Sequence, residues 1–458
     1  MVVNVPRGVR GAGRPLFFEG TDRSLSRRPT NSTIQSMIDR LPGYEEAAGL
    51  VAQFAEGVRA AVPPTERVAL ASAAGRVLAQ PICADRDQPP FARSTRDGFA
   101  CRAGEVSTHA WLPVAGAIRA GEAPAGPLPP EAVWEIMTGA PVPAGADAVA
   151  MIEHVKLIGG KIRFLPPRKL SERENVVAQG AQARKGDLLI SIGARLGSAQ
   201  IAVAAECGYA VLDVFVRPRV AILTTGDELV AVDAKPGPGQ IRNSNAPMLA
   251  ALVAAEGGEP WILPTAADSA TSLDDALADA AKADLILLSG GVSAGKFDLV
   301  EPALERLGAR FHFTGVRIQP GKPMVFGELP ADQSRAKAGV RARCFLGLPG
   351  NPVSSYVTFL LFGAPVLLAL TGSLEPRPRF GVARVVDQTQ VHGKSGLTRF
   401  LPAFWKPGAA DGQIAEVALV PWQGSGDLAA LARSNCFLVI PEDAESLKPG
   451  TIARILLQ

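Results

Sequence analysis

The chain contains 458 residues, more than one hydrophobic core can organise, so we expect about three or four domains. Hydrophobic residues make up 47% and charged residues 20% of the chain, a balance that argues against intrinsic disorder. The formal net charge of +3 gives no reason to expect a nucleic acid or a membrane as a partner. Five scattered cysteines without a C-x-x-C pair favour reduced thiols in a cytoplasmic protein over disulfides or a zinc site.

Residues 1–36 are rich in arginine and glycine and show little periodicity. They lack the apolar segment of a secretory signal, and we expect a disordered basic extension. Two alternatives stay open for this segment: a basic arm that contacts an acidic partner, and a true start of the protein at Met37.

Residues 37–84 carry apolar residues at helical spacing, which predicts helices over 43–60 and 66–78. Residues 85–182 change to short β-like runs separated by many glycines and prolines, the pattern of a compact all-β domain. Helix and strand character returns over 186–210, with a helix predicted over 199–208. We therefore predict a discontinuous N-terminal helical or linker domain, 37–84 plus 183–216, interrupted by a β-rich insertion domain.

Residues 217–372 alternate short apolar runs with helix-like segments, which predicts a three-layer α/β domain. Apolar runs at 220–223, 285–288 and 345–348 suit strands that are buried on both faces of a parallel sheet. A glycine-rich loop follows each run: Thr-Thr-Gly-Asp-Glu at 224–228, Ser-Gly-Gly-Val-Ser-Ala-Gly at 289–295 and Pro-Gly-Asn-Pro-Val-Ser-Ser at 349–355. Open α/β sheets bind ligands at the carboxyl ends of their strands, and backbone N–H groups and helix N-termini favour phosphate. The three loops therefore predict one crevice for a phosphate-bearing ligand.

Residues 373–458 return to short segments of period two, which predicts a small C-terminal β domain, either a barrel or a sandwich. Just before it, the longest apolar stretch runs over about residues 356–370 and contains Pro365. This stretch is too short to cross a bilayer by the usual length rule, so we predict a buried helix.

Several short motifs occur in a fixed order along the chain. They are Arg-Asp-Gly-Phe-Ala at 96–100, Ile-Met-Thr-Gly-Ala-Pro-Val-Pro at 136–143, Thr-Gly-Asp-Glu-Leu at 225–229, Gly-Gln-Ile-Arg-Asn-Ser-Asn at 239–245, Ser-Gly-Gly-Val-Ser at 289–293, Pro-Gly-Lys-Pro at 320–323 and Leu-Pro-Gly-Asn-Pro at 348–352. With these motifs, a β insertion upstream and a β domain downstream, the chain resembles the MoeA family over about residues 43–458. That family comprises the molybdopterin molybdenumtransferases and includes the gephyrin E domain.

The resemblance implies a cytoplasmic enzyme that inserts molybdate into adenylylated molybdopterin, releases AMP and uses Mg2+. It also implies a homodimer in which the β insertion of one subunit faces the α/β domain of the other. A molybdopterin adenylyltransferase would act upstream, and apo-molybdoenzymes or their chaperones would receive the product. The residues alone support only a phosphate-bearing ligand on an α/β domain.

Matching the family motifs assigns residue roles. The expected catalytic residues are Asp97, Glu228, Asp298 and Lys322. The expected Mg2+ ligands are Asp227, Glu228 and Asp298, because hard carboxylate oxygens suit a cation that bridges phosphate oxygens. The expected substrate-binding residues are Thr138, Thr225, Gly226, Ser289, Gly290, Gly291, Ser293, Gly350, Asn351 and Ser354.

Purely structural roles are the alternative for several of these residues. Asp97 precedes Gly98 in a turn, and Thr138 lies in a Thr-Gly-Ala-Pro turn, so both also fit turn positions without chemistry. Asp227 or Glu228 alternatively caps the turn that follows it. Lys322 is alternatively a solvated lysine, although its flanking prolines restrict the backbone beside it.

The chain departs from the family pattern in two segments. Carboxylates that the family often carries after the insertion are missing here, where the chain has Gln182. Lysines that some members carry before Pro-Gly-Lys-Pro are replaced by Gly315 and Gln319. The chain thus lacks both the family's carboxylates and its lysines at these positions. Three explanations fit: each loss compensates the other by leaving no unpaired charge, substrate handling is altered, or catalysis is weakened.

Three functions therefore compete: a molybdenumtransferase, a non-catalytic molybdopterin-binding or scaffold protein, and a molybdopterin adenylyltransferase. The β insertion and the C-terminal β domain argue against the third, since a stand-alone adenylyltransferase would need only the α/β part. The choice between molybdate and tungstate stays open, because the two anions differ little in size and charge.

Overall fold

The computed structural model describes residues 41–108, 111–165, 169–291, 299–330, 343–386, 390–408 and 412–458. The extension predicted over residues 1–36 therefore lies outside the described residues. The helices are α1 (Tyr44–Ala60), α2 (Ala103–Thr108), α3 (Ser198–Glu206), α4 (Asn245–Ala255), α5 (Ala270–Ala280), α6 (Val300–Arg306), α7 (Pro352–Thr358), α8 (Ala364–Leu370) and α9 (Leu428–Arg433).

The strands divide into small pairs and three larger sheets. In chain order they are β1 (Thr65–Ala69), β2 (Ile82–Cys83), β3 (Arg93–Ser94), β4 (Gly98–Cys101), β5 (Leu112–Ile118), β6 (Val133–Ile136), β7 (Ala148–Met151), β8 (Val155–Ile158), β9 (Lys161–Phe164), β10 (Val176–Val177), β11 (Leu188–Ile190), β12 (Val211–Phe215), β13 (Arg219–Thr224), β14 (Leu229–Val230), β15 (Ile241–Arg242), β16 (Glu259–Ile262), β17 (Leu285–Ser289), β18 (Arg310–Phe313), β19 (Ile318–Gln319), β20 (Val325–Glu328), β21 (Cys344–Leu348), β22 (Phe380–Val385), β23 (Val391–His392), β24 (Thr398–Lys406), β25 (Glu416–Leu419), β26 (Cys436–Ile440), β27 (Ser446–Leu447) and β28 (Ile452–Leu457). The sheets position the candidate site.

Short strand pairs connect the segments on either side of the insertion. β1 pairs antiparallel with β12, and β2 pairs antiparallel with β11. The helix predicted over residues 66–78 is wrong, because strand β1 and the 3-10 turn Leu70–Ser72 occupy its first half. Pairing with β12 overrides the helical periodicity: Val68 lies opposite the fully buried Leu212 and packs in the same small core.

Helix α1 packs on the core of the α/β domain and on the C-terminal β domain. Its buried face recurs every three or four residues at Tyr44, Ala47, Val51, Ala55 and Val58. The centroid of the Tyr44 ring lies 5.5 Å from that of Phe400 and 6.2 Å from that of Phe362. Residues 42–458 form one compact unit, and the domain boundaries given above stay a prediction.

The insertion contains a six-stranded sheet in the order β7-β4-β6-β5-β9-β8. Gly98 opens β4 directly after Asp97 and lies very close to β7. A Cβ atom at Gly98 would lie 2.0 Å from the carbonyl oxygen of Ala150, so no larger residue fits. Glycine is therefore required at this position by packing, and the close approach fixes the backbone beside Asp97.

The α/β domain is built on a six-stranded sheet in the order β16-β13-β17-β21-β20-β18. The strands β16, β13, β17 and β21 pair in parallel, and β20 runs antiparallel to both of its neighbours. Along β13, Val220 and Ile222 face a core shared with α4 and α7, whereas Ala221 and Leu223 face a core shared with α5 and α6. Helices thus cover both faces, and the predicted three-layer α/β domain is confirmed.

A long buried helix passes through the α/β domain from Pro352 to Leu370. Its 19 residues are long and apolar enough to cross a membrane, so the expectation that this stretch is too short was wrong. Yet 94% of its apolar window lies inside the fold, which identifies it as a core helix, as predicted. Pro365 lies in the first turn of α8, directly after the π-helical turn Phe359–Gly363, where the missing N–H is tolerated.

The C-terminal β domain is a closed five-stranded barrel. β24 pairs with β25 and β26, β25 pairs with β22, and β28 pairs with both β22 and β26, so the hydrogen bonding returns to its start. The strand β19 pairs in parallel with β24 and links the barrel to the α/β domain. The predicted C-terminal β domain is confirmed, and closure as a barrel removes its exposed sheet edges.

Tyr44 is expected to contribute strongly to stability, because the residue is only 4% exposed and its ring packs against three phenylalanine rings. Replacing a buried aromatic residue with alanine typically removes about 3–5 kcal/mol of folding free energy. Tyr44→Ala should therefore lower the melting temperature clearly, whereas Tyr44→Phe should keep most of the packing. Denaturant unfolding followed by circular dichroism measures both effects.

The same variants test a pH dependence. Burial raises the pKa of Tyr44 from 10.0 to about 12. The folding stability that comes from burying the neutral hydroxyl is therefore complete below pH 10.0 and is lost as the pH rises through about 12. Tyr44→Phe removes this loss, and its stability should fall less steeply than that of the wild type in alkaline solution. Equal slopes for the two proteins would show that the Tyr44 hydroxyl is not buried as described.

Candidate active site

The predicted glycine-rich loops leave the sheet side by side. The parallel register places Thr224 of β13 opposite Ser289 of β17, and Ser289 opposite Leu348 of β21. The Thr225 N–H donates to the Ser289 carbonyl at 3.1 Å, and the Gly290 N–H donates to the Leu348 carbonyl at 3.4 Å. The structure therefore brings the three strand ends together at one edge, as the sequence predicts.

Glycine is required at the second loop because the neighbouring backbone approaches it closely. Gly290 has φ +100°, and a Cβ there would lie 2.6 Å from the carbonyl oxygen of Thr225. Gly291 has φ +63°, and its Cβ would lie 2.9 Å from Val300 Cγ2. Both positions are strained for any other residue, which leaves bare backbone at the strand end. Bare backbone of this kind can approach a phosphate group.

The third loop is packed differently. A Cβ at Gly350 would lie 3.7 Å from Gly290 Cα, an ordinary contact, so this position has room for a small side chain. Asn351 follows it, and its Nδ2 donates to Ser425 Oγ at 2.9 Å. Ser354 is 4% exposed in the first turn of α7. The burial of Ser354 leaves Gly350 and Asn351 as the more accessible members of the predicted set.

Two asparagines that the sequence reasoning assigned no role hold the loops together. Asn245 Nδ2 donates to Ser289 Oγ at 2.8 Å and to the Gly350 carbonyl at 2.7 Å. Asn243 Nδ2 donates to Thr224 Oγ1 at 2.8 Å. The sequence feature that could have identified these two asparagines was the Gly-Gln-Ile-Arg-Asn-Ser-Asn motif, whose polar end precedes a helix. Two of the loops that this end contacts lie far from it in sequence.

The predicted carboxylates lie at the first loop. Asp227 and Glu228 are both exposed, and a Cβ at Gly226 would lie 2.6 Å from Glu228 Oε2, so the Glu228 carboxylate folds back over the loop. Asp227 Oδ1 accepts the backbone N–H of Asp268 at 3.1 Å. Ser293 and Asp298, the remaining predicted residues of the second loop, lie outside the described residues.

These carboxylates fit Mg2+ only together with a phosphate ligand. Within the described ranges, no three histidine, cysteine, aspartate or glutamate side chains form a group that could hold a metal ion. Mg2+ in enzymes is usually held by one or two carboxylates, by phosphate oxygens and by water. Asp227 and Glu228 meet that requirement, because they are exposed oxygen donors beside a predicted phosphate loop.

Lys322 lies in a tight turn that packs on the helix after the third loop. Gly321 has φ +113°, and a Cβ there would lie 2.5 Å from Thr358 Cγ2 of α7. The Lys322 carbonyl accepts the backbone N–H groups of Val316 and Met324 at 3.0 and 2.9 Å. The turn is thus fixed by its backbone, and the lysine side chain is half-buried.

Asp97 and Thr138 meet on the insertion sheet. Asp97 Oδ1 accepts the Thr138 N–H at 2.7 Å and the Thr138 hydroxyl at 2.9 Å. Both hydrogen bonds lower the pKa of Asp97, and the one from the Thr138 backbone N–H has the larger effect. Among the described residues, no hydrogen bond or ion pair joins this pair to the three loops. The structure therefore keeps the Asp97–Thr138 pair separate from the three loops.

Gln319 and Gln182, where the chain departs from the family pattern, are uncharged residues. Gln319 pairs in register with Arg399, and its Oε1 is buried without a hydrogen-bond partner. The nearby Arg317 is directed to Glu442, with 3.4 Å between Nη2 and Oε2. Gln182 is exposed, and its N–H donates to the Gln88 carbonyl at 2.8 Å.

Family models match almost the whole of the described chain. The MoeA N-terminal region (domain I and II) matches residues 44–208, the probable molybdopterin binding domain matches residues 221–369, and the MoeA C-terminal region (domain IV) matches residues 384–457. The chain belongs to the MoeA family. The resemblance inferred from the motifs is confirmed, and so is the fold that it implied.

Relatives and solved structures agree with this assignment. A protein from Nostoc sp. is 36% identical over 407 residues, covering 86% of this chain and 88% of its own, and one from Haemophilus influenzae is 33% identical, covering 85% and 93%. Both are named molybdopterin molybdenumtransferase. The crystal structure of the molybdopterin biosynthesis moeA protein from Pyrococcus horikoshii OT3 is similar with a TM-score of 0.74 and 28% identity, covering 92% of this chain and all of that one.

The Asp97–Thr138 pair predicts a measurable titration shift. Thr138→Val removes the hydroxyl donor but keeps the backbone N–H, so the pKa of Asp97 should rise partway toward its ordinary value. Carboxyl carbon NMR of wild type and variant measures the change. Ser94→Ala is the control, since Ser94 donates to the Arg96 carbonyl nearby and does not bond Asp97. An unchanged Asp97 pKa in Thr138→Val would contradict the hydrogen bonding described here.

Proposed function

We propose that this protein is a molybdopterin molybdenumtransferase: it inserts molybdate into adenylylated molybdopterin and releases AMP. The observation that carries the proposal is the sheet edge where β13, β17 and β21 end side by side, in a chain that belongs to the MoeA family. A cytoplasmic location, supply of substrate by an adenylyltransferase, and delivery of product to apo-molybdoenzymes or their chaperones belong to the same proposal.

In this proposal, the crevice binds the phosphoanhydride of the substrate. The loops at Gly291 and Gly350 offer backbone N–H donors, which the surrounding fold holds in place. Lys322 adds a positive charge on a fixed turn. Thr225, Gly226, Ser289, Asn351 and Ser354 line or support the same strand ends, and Ser293 completes the assigned set.

Asp227 and Glu228 are assigned to hold Mg2+ together with phosphate oxygens, and Asp298 is assigned as a further ligand. Mg2+ bound there would neutralise part of the phosphate charge as the anhydride bond to AMP breaks. The exposure of both described carboxylates matches a site that the substrate completes. A site of this kind binds the metal weakly until the phosphate is present.

Asp97 and Thr138 are assigned to the molybdate end of the reaction. The lowered pKa keeps Asp97 ionised near neutral pH, so it does not donate a proton itself. An ionised carboxylate repels a molybdate dianion, and its useful role is therefore to orient the Thr138 hydroxyl and backbone N–H. The two hydrogen bonds between these residues support the orienting role.

We propose a homodimer with a shared active cleft. The Asp97–Thr138 pair lies in the insertion and the carboxylates lie in the loop that follows β13, and within the described part of one chain no hydrogen bond or ion pair connects them. Placing the insertion of one subunit against the α/β sheet of another would bring the two groups together. This arrangement makes both subunits necessary for each cleft.

Incubating the purified protein with adenylylated molybdopterin, Mg2+ and molybdate tests the function, with AMP release and cofactor formation followed together. Glu228→Ala should retain binding but lower AMP release by about a hundredfold, as expected for loss of one strong electrostatic contributor. Gly350→Leu should instead abolish binding, because the side chain beyond Cβ extends into the crevice. Gly350→Ala is the matched control, since its Cβ makes only an ordinary contact with Gly290.

Each outcome discriminates between the competing functions. Normal turnover by Glu228→Ala would show that the catalytic carboxylate is misassigned. If the wild type binds the substrate but releases no AMP, the departures at Gln182 and Gln319 favour a molybdopterin-binding scaffold instead. Formation of adenylylated molybdopterin from ATP would favour the adenylyltransferase.

A complementation experiment tests the shared cleft. Asp97→Ala and Glu228→Ala chains, each inactive alone, should regain part of the activity when mixed under conditions that exchange subunits. One cleft of such a heterodimer carries both intact residues, and the other carries neither. Heterodimers that form, as shown by differently tagged chains, yet stay inactive would place the whole site within one subunit.

A further inference from the structure

A single side chain joins two of the three loops at the crevice. Asn245 is the first residue of α4, and its Nδ2 donates both to Ser289 Oγ at 2.8 Å and to the Gly350 carbonyl at 2.7 Å. Ser289 precedes Gly290 on one loop, and Gly350 belongs to the next. The side chain therefore spans the gap between the ends of β17 and β21.

The other end of the same amide shows why an asparagine is needed. Asn245 Oδ1 is buried and has no hydrogen-bond partner. A buried acceptor without a partner destabilises a fold, and an apolar residue at this position would avoid that cost. Packing alone would be served better by an apolar residue. The two hydrogen bonds that the Asn245 NH2 group donates are therefore the physical reason for an asparagine here.

The network continues behind the loops. Ser289 Oγ lies 3.5 Å from Ser355 Oγ, and the Ser355 hydroxyl donates to the Pro349 carbonyl. Ser289 and Ser355 are almost completely buried, so this chain of polar groups is rigid. Asn245 is the member that connects this chain to α4.

We propose that Asn245 is a positioning residue that sets the spacing between the Gly290–Gly291 and Gly350–Asn351 backbones, and thereby the affinity for the phosphate of the nucleotide end of the substrate. The inference rests on the proposed function, because it assumes that these loops bind a phosphate. Backbone donors bind an anion best when they are held in place before it arrives, and Asn245 holds them.

Calorimetric titration with AMP tests the inference on Asn245→Ala, Asn245→Asp and the wild type. Asn245→Ala should weaken AMP binding by about tenfold or more, the effect of losing two ordinary hydrogen bonds that hold the loops in place. Asn245→Asp keeps the shape but removes the donors and adds a negative charge, so it should weaken binding further at neutral pH. Melting temperatures are recorded for every variant.

Asn435→Ala is the matched control. Asn435 also makes two hydrogen bonds through its amide, donating to the Trp405 carbonyl at 2.8 Å and accepting the Trp405 N–H at 2.7 Å, but it lies in the barrel. This variant should lose stability and keep its AMP affinity. The inference is supported if AMP affinity falls only in the Asn245 variants.

The failing outcomes are distinct. Unchanged AMP affinity in Asn245→Ala, with a wild type that binds AMP, overturns the inference and leaves the proposed function intact. An affinity loss that is equal in Asn245→Ala and Asn435→Ala also overturns it, since the effect then follows general stability. A wild type that does not bind AMP at all contradicts the proposed function, and the inference fails with it.

Discussion

The parallel pairing of β13, β17 and β21 is the constraint on which the candidate site depends. Parallel strands end at the same edge of their sheet, so three loops that lie far apart in sequence become neighbours. The same pairing leaves each strand buried on both faces, and alternate residues of β13 therefore fill two separate cores. Loss of this pairing would both expose the cores and separate the loops.

The rest of the chain holds this edge in position. Asn243 and Asn245 fasten the loops from the start of α4, and Ser425 contacts Asn351 from a segment that follows β25. The barrel is joined to the α/β domain through β19, close to the turn that carries Lys322. The barrel therefore contributes to the site by supporting a loop and a turn, although its own core lies elsewhere.

The sequence predicted the features that are local. Apolar runs ending in glycine identified β13, β17 and β21, whereas Gly98 was expected only as a turn residue and its close contact with the Ala150 carbonyl was not foreseen. Features created by distant pairing were missed or misread. Residues 66–78 were predicted as a helix because their pairing with β12 cannot be inferred from spacing, and Asn245 was passed over because its partners lie 44 and 105 residues away. In the proposed homodimer, Asp97 would meet the α/β domain of a second subunit.

A crystal structure of the protein with bound AMP tests the central claim most directly, because it locates the phosphate rather than inferring it from activity. The account predicts the phosphate oxygens at hydrogen-bonding distance, about 3 Å, from backbone N–H groups of the loops at Gly290 and Gly350. Asn245 should keep both of its bonds, to Ser289 and to the Gly350 carbonyl. A phosphate bound on the insertion sheet, on the barrel or anywhere else away from the ends of β17 and β21 would contradict the account.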